Sequence, residues 1–305
     1  MKRAEFIKSS VLLGLSATAG SSVLASGVEP SKKAEKTFNL NYAPHVGMFA
    51  AHAGENFIDQ IKFMHDQGFR SMEDNGMVKR SVAMQEEIGR TMAKLGMDMG
   101  VFVVDKGGNG ANTLAAGKKE YIDIFLNGCR QAVEVSKRVN AKWVTVVPGD
   151  FERSLPIGIQ TGNVIEALRR GAEILEPHGL VMVLEPLSDT PNLFLRHADQ
   201  THLICKAVNS PSCKLLYDIY HMQRNEGNII PTMEKCWDEI AYIQIGDNPG
   251  RKEPGTGEIN YQNVFRWIDN KGFKGILGME HGNSKPGKEG ELALIKAYRE
   301  ADMFK

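Results

Sequence analysis

The sequence predicts a (β/α)8 barrel, single-domain after an N-terminal signal segment, and three observations predict it. From Phe38 onward, short β-type runs alternate with longer helical patterns, eight times over about 265 residues. The β-type runs are apolar almost throughout, as in Met99-Gly-Val-Phe-Val-Val104, Trp143-Val-Thr-Val-Val147 and Val181-Met-Val-Leu184. That composition suits parallel strands covered on both faces. Four of the later runs end in an oxygen-bearing side chain, at Glu185, Asp218, Gln244 and Glu280.

Taken in order, strands are expected near 38–43, 69–73, 98–104, 143–148, 181–186, 214–219, 241–246 and 275–280. Helices are expected near 53–67, 81–95, 119–139, 160–177, 198–208, 230–237, 260–270 and 289–301. A doubly wound open sheet is the main competing fold. It usually carries a Gly-rich phosphate turn after its first strand, and Asn41-Tyr-Ala-Pro-His-Val-Gly47 is not one. The Gly-rich segment 105–117 also fails as a phosphate loop. Asn112 stands five residues before Gly117 where Gly is required, and Lys119 replaces the Ser or Thr that would reach Mg²⁺. Following the third strand, this segment reads as a mobile rim or lid loop on the catalytic face.

The first residues differ from the rest. Lys2, Arg3 and Lys8 form a positive region, Val11 to Ala25 is a short apolar stretch, and Val23-Leu-Ala25 has the small-residue pattern of a signal-peptidase site. Gly14, Ser16, Thr18, Gly20, Ser21 and Ser22 interrupt the stretch, which argues against a membrane span. Arg3-Ala-Glu-Phe-Ile-Lys8 resembles the twin-arginine export signal but has Ala4 in place of the second Arg, so the route stays open between the general and twin-arginine pathways. The expectation is a signal peptide over 1–27, a linker over 28–36, a barrel over 37–305, and export to the periplasm.

Lys+Arg and Asp+Glu number 37 each, so no broad basic field is available to attract nucleic acid or an anionic membrane. A small polar substrate, a keto acid or sugar, fits this balance. The four cysteines, at 129, 205, 213 and 236, have neither C-x-x-C nor zinc spacing. They read as isolated buried thiols, with a Cys205–Cys213 pair as the alternative in an oxidising compartment.

Strand side chains alternate with period two. Glu185 therefore shares a face with Val181 and Val183, Asp218 with Leu216, Gln244 with Tyr242, and Glu280 with Ile276 and Gly278. If those faces line the barrel, the four oxygens converge at its C-terminal mouth, where barrel enzymes place their sites. Three carboxylates there repel one another and are costly to desolvate without a cation. Hard oxygen donors with no thiolate favour Mg²⁺ or Mn²⁺. His221 would sit in the loop above the metal and donate to a substrate oxygen. Arg251 suits an anionic substrate group, with a salt bridge to Glu253 as its competing role. Glu258 reads as a helix cap, and Glu73, ending the second strand, as a hydrogen-bond partner for a substrate hydroxyl or a structural group.

The motifs Leu184-Glu-Pro-Leu187, Leu216-Tyr-Asp-Ile-Tyr-His-Met-Gln223, Ile243-Gln-Ile-Gly-Asp-Asn-Pro-Gly-Arg251, Glu253-Pro-Gly-Thr-Gly-Glu-Ile-Asn-Tyr261 and Gly278-Met-Glu-His281 resemble the hydroxypyruvate isomerase group of the xylose isomerase-like barrels. The resemblance runs from about Phe38 to the C-terminus and is densest between Val181 and His281. It implies that Glu185, Asp218, Gln244 and Glu280 hold the metal, that Glu185 and Glu280 form the acid/base pair, and that the barrel self-associates into a homo-oligomer. The related epimerases usually have His at the position of Gln244, so Gln244 leans toward the isomerase side.

Three other functions compete. A C3 epimerase, or another enolisation enzyme acting on a larger keto sugar or glycoside, fits export better than a cytoplasmic metabolic step does. An endonuclease IV-like enzyme would need many His ligands and a basic groove, whereas this neutral chain has eight His in all. An exported sugar-binding barrel has no need for two proton-transfer carboxylates.

Overall fold

The computed structural model describes residues 37–305, so the signal segment and linker expected over 1–36 lie outside the described residues. The strands are β1 (Asn41–Pro44), β2 (Ser71–Met72), β3 (Asp98–Met99), β4 (Phe102–Val103), β5 (Trp143–Val146), β6 (Val181–Leu184), β7 (Cys213–Asp218), β8 (Ile240–Ile245) and β9 (Ile276–Met279). All of their pairings are parallel. Seven of them run in the order β1-β9-β8-β7-β6-β5-β4, and β2 pairs with β3. A bridge between His45 and Glu73 ties β1 to β2, with Glu73 N donating to Pro44 O at 3.0 Å. Because β3 and β4 are two halves of one strand position, the sheet closes into an eight-position barrel.

That third position was expected as one continuous strand. It breaks because the Tyr242 hydroxyl enters the strand line there. A Cβ at Gly100 would lie 2.4 Å from the Tyr242 oxygen, and Val101 N donates to that oxygen at 3.4 Å.

The helices are α1 (Ala50–Ala53), α2 (Phe57–Asp66), α3 (Val82–Leu95), α4 (Lys119–Val139), α5 (Ile157–Leu175), α6 (Ala198–Val208), α7 (Ile219–Asn225), α8 (Ile229–Cys236), α9 (Tyr261–Asn270) and α10 (Gly287–Ala301). Local chemistry fixes their ends. Asn56, Ser81 and Asn260 cap α2, α3 and α9 through side-chain oxygens, and Gly96 ends α3 in the left-handed conformation. The short helices α1 and α7 were not foreseen.

The period-two register holds. Val183, Leu216, Tyr242 and Ile276 join Ala43 and Val101 in a small cluster inside the barrel. Their alternates Leu184, Leu215, Tyr217, Ile243 and Leu277 belong to the larger core between sheet and helices. The face that carries the four strand-end oxygens is therefore the inward one. All four cysteines are buried free thiols. Among the described residues no helix is long and apolar enough to cross a membrane.

The segment 105–117 is more tied down than a free lid. It wraps around buried Lys106, whose ammonium donates to the carbonyls of Gly108 at 3.2 Å, Asn109 at 3.5 Å and Ala111. Burial lowers this lysine to about 8.

Candidate active site

Glu185 follows β6, Asp218 ends β7, Gln244 lies near the end of β8 and Glu280 follows β9. Asp218 is fully buried and uses its two oxygens differently. Oδ1 caps α7, accepting from Tyr220 N at 2.7 Å and His221 N at 3.2 Å. This turns the chain directly from strand to helix and folds His221 back over the strand end. His221 is thus fully buried in the first turn of α7 and not in a loop. Its Nε2 lies 3.6 Å from Asp218 Oδ2 and 3.8 Å from Glu185 Oε1. Glu185, Asp218 and His221 each offer a ligand atom, all within 4.8 Å of one another.

Arg251 stands in the left-handed region (φ 50°) on the loop after β8. Buried Asp247 organises that loop, its Oδ2 accepting from Gly255 N and Gly257 N, both at 2.9 Å, and its Oδ1 from Ile259 N at 3.1 Å. Glycine is required at 257, since a Cβ would sit 1.7 Å from Asn248 O. So held, Arg251 Nη2 reaches Asp218 Oδ2 at 3.3 Å, Glu280 Oε2 at 3.1 Å and His221 Nε2 at 3.1 Å. Donors thus stand at both ring nitrogens, Arg251 at Nε2 and, at Nδ1, the Ser188 backbone N–H at 3.2 Å with the Ser188 hydroxyl at 2.8 Å. Burial lowers the affinity of His221 for a second proton.

Several expectations need correction. Arg251 does not pair with Glu253, which is buried and accepts from Ser284 N at 2.9 Å and from the Ser284 hydroxyl. Glu258 is exposed and accepts from Gln223 Nε2 at 3.2 Å, while Asn260 is the residue that caps α9. Of the two roles open to Glu73, its contacts fit the structural one. The residue is fully buried inside the barrel, where its Oε2 accepts from Tyr242 Oη at 2.9 Å and its Oε1 from Gln244 Nε2 at 3.4 Å.

The electrostatics are those of a crowded carboxylate site. Burial pushes Glu185 well above the usual carboxylate range, and Glu280 and Asp218 add to the shift. Glu280 is raised to about 7, chiefly by burial, with Arg251 and Asn75 pulling down and Asp218 pushing up.

Glu185 Oε1 and Gln244 Oε1 are among five buried side-chain atoms without a hydrogen-bond partner among the described residues, the others being His45 Nε2, Asn75 Oδ1 and Thr145 Oγ1. Such groups normally find one. Orphaned acceptors beside a carboxylate cluster, with a guanidinium already drawn in, make a donor set that fits a hard divalent cation.

Sequence reasoning missed Asn75, whose Nδ2 donates to Glu280 Oε1 at 2.9 Å. A signal existed, because Asn75 stands two residues after Glu73 at the same strand end. Asn75 also lies where two cavities meet. The larger, about 630 Å³, is lined by His45, Met48, Arg251, Glu280 and Asn283. The smaller, about 220 Å³, runs past Val78, Val103, Lys106 and Val147.

Residues 61–301 match the family described as xylose isomerase-like TIM barrel. The chain belongs to that family. It is 34% identical over 177 residues to the hydroxypyruvate isomerase of Escherichia coli, covering 57% of this chain and 68% of that enzyme. It is 30% identical over 155 residues to the 2-oxo-tetronate isomerase of Cupriavidus necator, covering 50% of this chain and 58% of that one. The solved structure of 3-keto-D-glucoside 4-epimerase from E. coli matches with a TM-score of 0.72 at 17% identity, over 86% of this chain and 99% of that one. The chain is accordingly an isomerase of the xylose isomerase-like barrels.

Proposed function

We propose that the chain is a divalent-metal isomerase that interconverts a short 2-oxo-3-hydroxy acid and its 3-oxo-2-hydroxy isomer, as in hydroxypyruvate to tartronate semialdehyde. The observation carrying this reading is the meeting of Glu185, Asp218 and His221 at one barrel mouth, with Glu280 joined to them through Arg251. Glu185, Asp218, Gln244 and Glu280 would hold Mg²⁺ or Mn²⁺. The cation would stabilise the enediolate charge and so acidify the C–H beside the carbonyl.

One of the carboxylates Glu185 and Glu280 takes the proton from the hydroxyl-bearing carbon, and the other delivers a proton to the former carbonyl carbon. Burial raises both groups, Glu280 to about 7, which suits proton exchange by Glu280 near neutrality. Arg251 binds the substrate carboxylate, and His221 donates to the oxygen where charge develops once its Nε2 carries the proton. Ser188 tolerates that tautomer, since its backbone N–H stands 3.2 Å from Nδ1 and can donate there.

A second reading is supported by the smaller cavity that opens at Asn75. A larger keto sugar or a keto glycoside would extend into it, and the reaction would be epimerisation. Both readings are tested by following, by proton NMR, Mn²⁺-dependent conversion of hydroxypyruvate, 2-oxo-tetronate, ketohexoses and 3-keto-glucosides. Turnover of the short acids alone supports the first reading, and turnover of the longer sugars alone replaces it with the second. We further propose export to the periplasm on the strength of the N-terminal charge and small-residue pattern. N-terminal sequencing of the protein recovered from that compartment checks it, and an intact Met1 would contradict it.

A further inference from the structure

Glu73 presents a problem that its neighbours resolve. A fully buried carboxylate is costly, and an apolar side chain of the same size would commonly serve stability as well or better. Yet the barrel makes room for this one by leaving out two side chains. A Cβ at Gly278 would lie 2.0 Å from Glu73 Oε2, and a Cβ at Gly100 would lie 2.4 Å from the hydroxyl of its partner Tyr242. Glycine within strands weakens them, so the space is not free of cost.

Tyr242 and Gln244 stand two apart on β8 and point the same way, so both reach the one carboxylate. Tyr242 Oη donates to Oε2 at 2.9 Å and fixes the carboxylate's rotation. Gln244 Nε2 donates to Oε1 at 3.4 Å. A glutamine amide can present either its oxygen or its nitrogen, and only the oxygen can ligate a cation. With the NH₂ side held by Glu73, the other side of the amide must be oxygen, and Gln244 Oε1 is indeed buried with no partner.

We infer that Glu73 is a positioning residue that sets the orientation of the Gln244 amide, so that its oxygen faces the cation. The inference rests on the metal-binding reading given above. Outer partners of metal ligands commonly act in this way.

The test is Mn²⁺ titration of the full chain, followed by the electron paramagnetic resonance signal of the free ion, alongside thermal unfolding. Glu73→Met keeps the length and removes the acceptor. It should weaken Mn²⁺ binding by about 10- to 100-fold in protein that still unfolds cooperatively. Glu73→Gln keeps the shape; with Tyr242 donating to the new amide's oxygen, its NH₂ faces Gln244 and pairs with the Gln244 oxygen, turning the Gln244 nitrogen toward the cation. It should also weaken Mn²⁺ binding by about 10- to 100-fold in folded protein.

Unchanged Mn²⁺ affinity in folded Glu73→Met overturns the proposal, even if its melting temperature falls. If that variant fails to fold, Glu73→Gln decides, and its unchanged Mn²⁺ affinity while folded overturns the proposal equally. A parent that binds no Mn²⁺ at all removes the metal reading itself, an outcome distinct from either.

Discussion

Arg251 Nη2 stands 3.1 Å from Glu280 Oε2, and the same nitrogen lies 3.3 Å from Asp218 Oδ2. The guanidinium therefore neutralises the carboxylates that are the candidate cation ligands, and a divalent ion would compete with it for them. Arg251→Ala removes the competitor and leaves the carboxylates in place. Mn²⁺ affinity, measured by calorimetry, should hold or rise. KM for the keto-acid substrate should rise by about 10- to 100-fold, as for loss of a charge-assisted pair. A fall in Mn²⁺ affinity would contradict this account.

The same crowding sets a pH dependence. Glu280 is raised from 4.5 to about 7. A raised carboxyl binds its proton more tightly folded than unfolded, so its contribution to stability is present below about 4.5 and is lost as pH rises through about 7. The loss is on the order of 3 kcal/mol at most for a shift of this size. Protein treated with chelator should therefore melt at lower temperature at pH 8 than at pH 5.5. Mn²⁺ should narrow or reverse that difference, because it favours the ionised carboxylate.

Asn75 donates to Glu280 at 2.9 Å and lowers its pKa. Asn75→Leu should move the acid limb of the kcat/KM profile to higher pH as well as lowering the plateau. A lower plateau with an unmoved limb would make Asn75 a packing residue only.

Asp247 never faces the candidate ligands, yet it accepts three backbone N–H groups from the loop that carries Arg251. Asp247→Ala removes the acceptor that three exposed or half-buried backbone donors share, at roughly 1.5–3 kcal/mol for hydrogen bonding to a charged group. Limited proteolysis should then cut within 247–259, and KM should rise in the same direction as for Arg251→Ala.

The barrel and the strand-end residues were legible because both follow from period. Apolar runs that recur with helices between them imply parallel strands, and alternation fixes which side of each strand faces inward. The four oxygens were thereby assigned to the inward face before their contacts were known. Relationships that depend on reach rather than period were not legible. Arg251 crosses to Asp218 and Glu280 because a loop organised by Asp247 folds it back. Glu73 turns into the barrel because glycines on two other strands leave it room. The break in the third strand has the same origin, a tyrosine from β8 occupying space that only Gly100 allows. The role of Asp218 as a helix cap was readable in principle, since Asp before a short helical run is a common start signal. It was obscured by the residue's other assignment as a ligand.

The proposed movement of a proton by Glu185 and Glu280 at the carbon beside a carbonyl is read by solvent deuterium exchange. Hydroxypyruvate, 2-oxo-tetronate and a ketohexose are each incubated in D₂O with Mn²⁺ and the full chain. Label is expected at the carbon next to the carbonyl in at least one of them. That rate should fall by about 10²- to 10⁴-fold in both Glu185→Gln and Glu280→Gln. Exchange that persists undiminished in both variants, or none in any compound with Mn²⁺ bound, would contradict it.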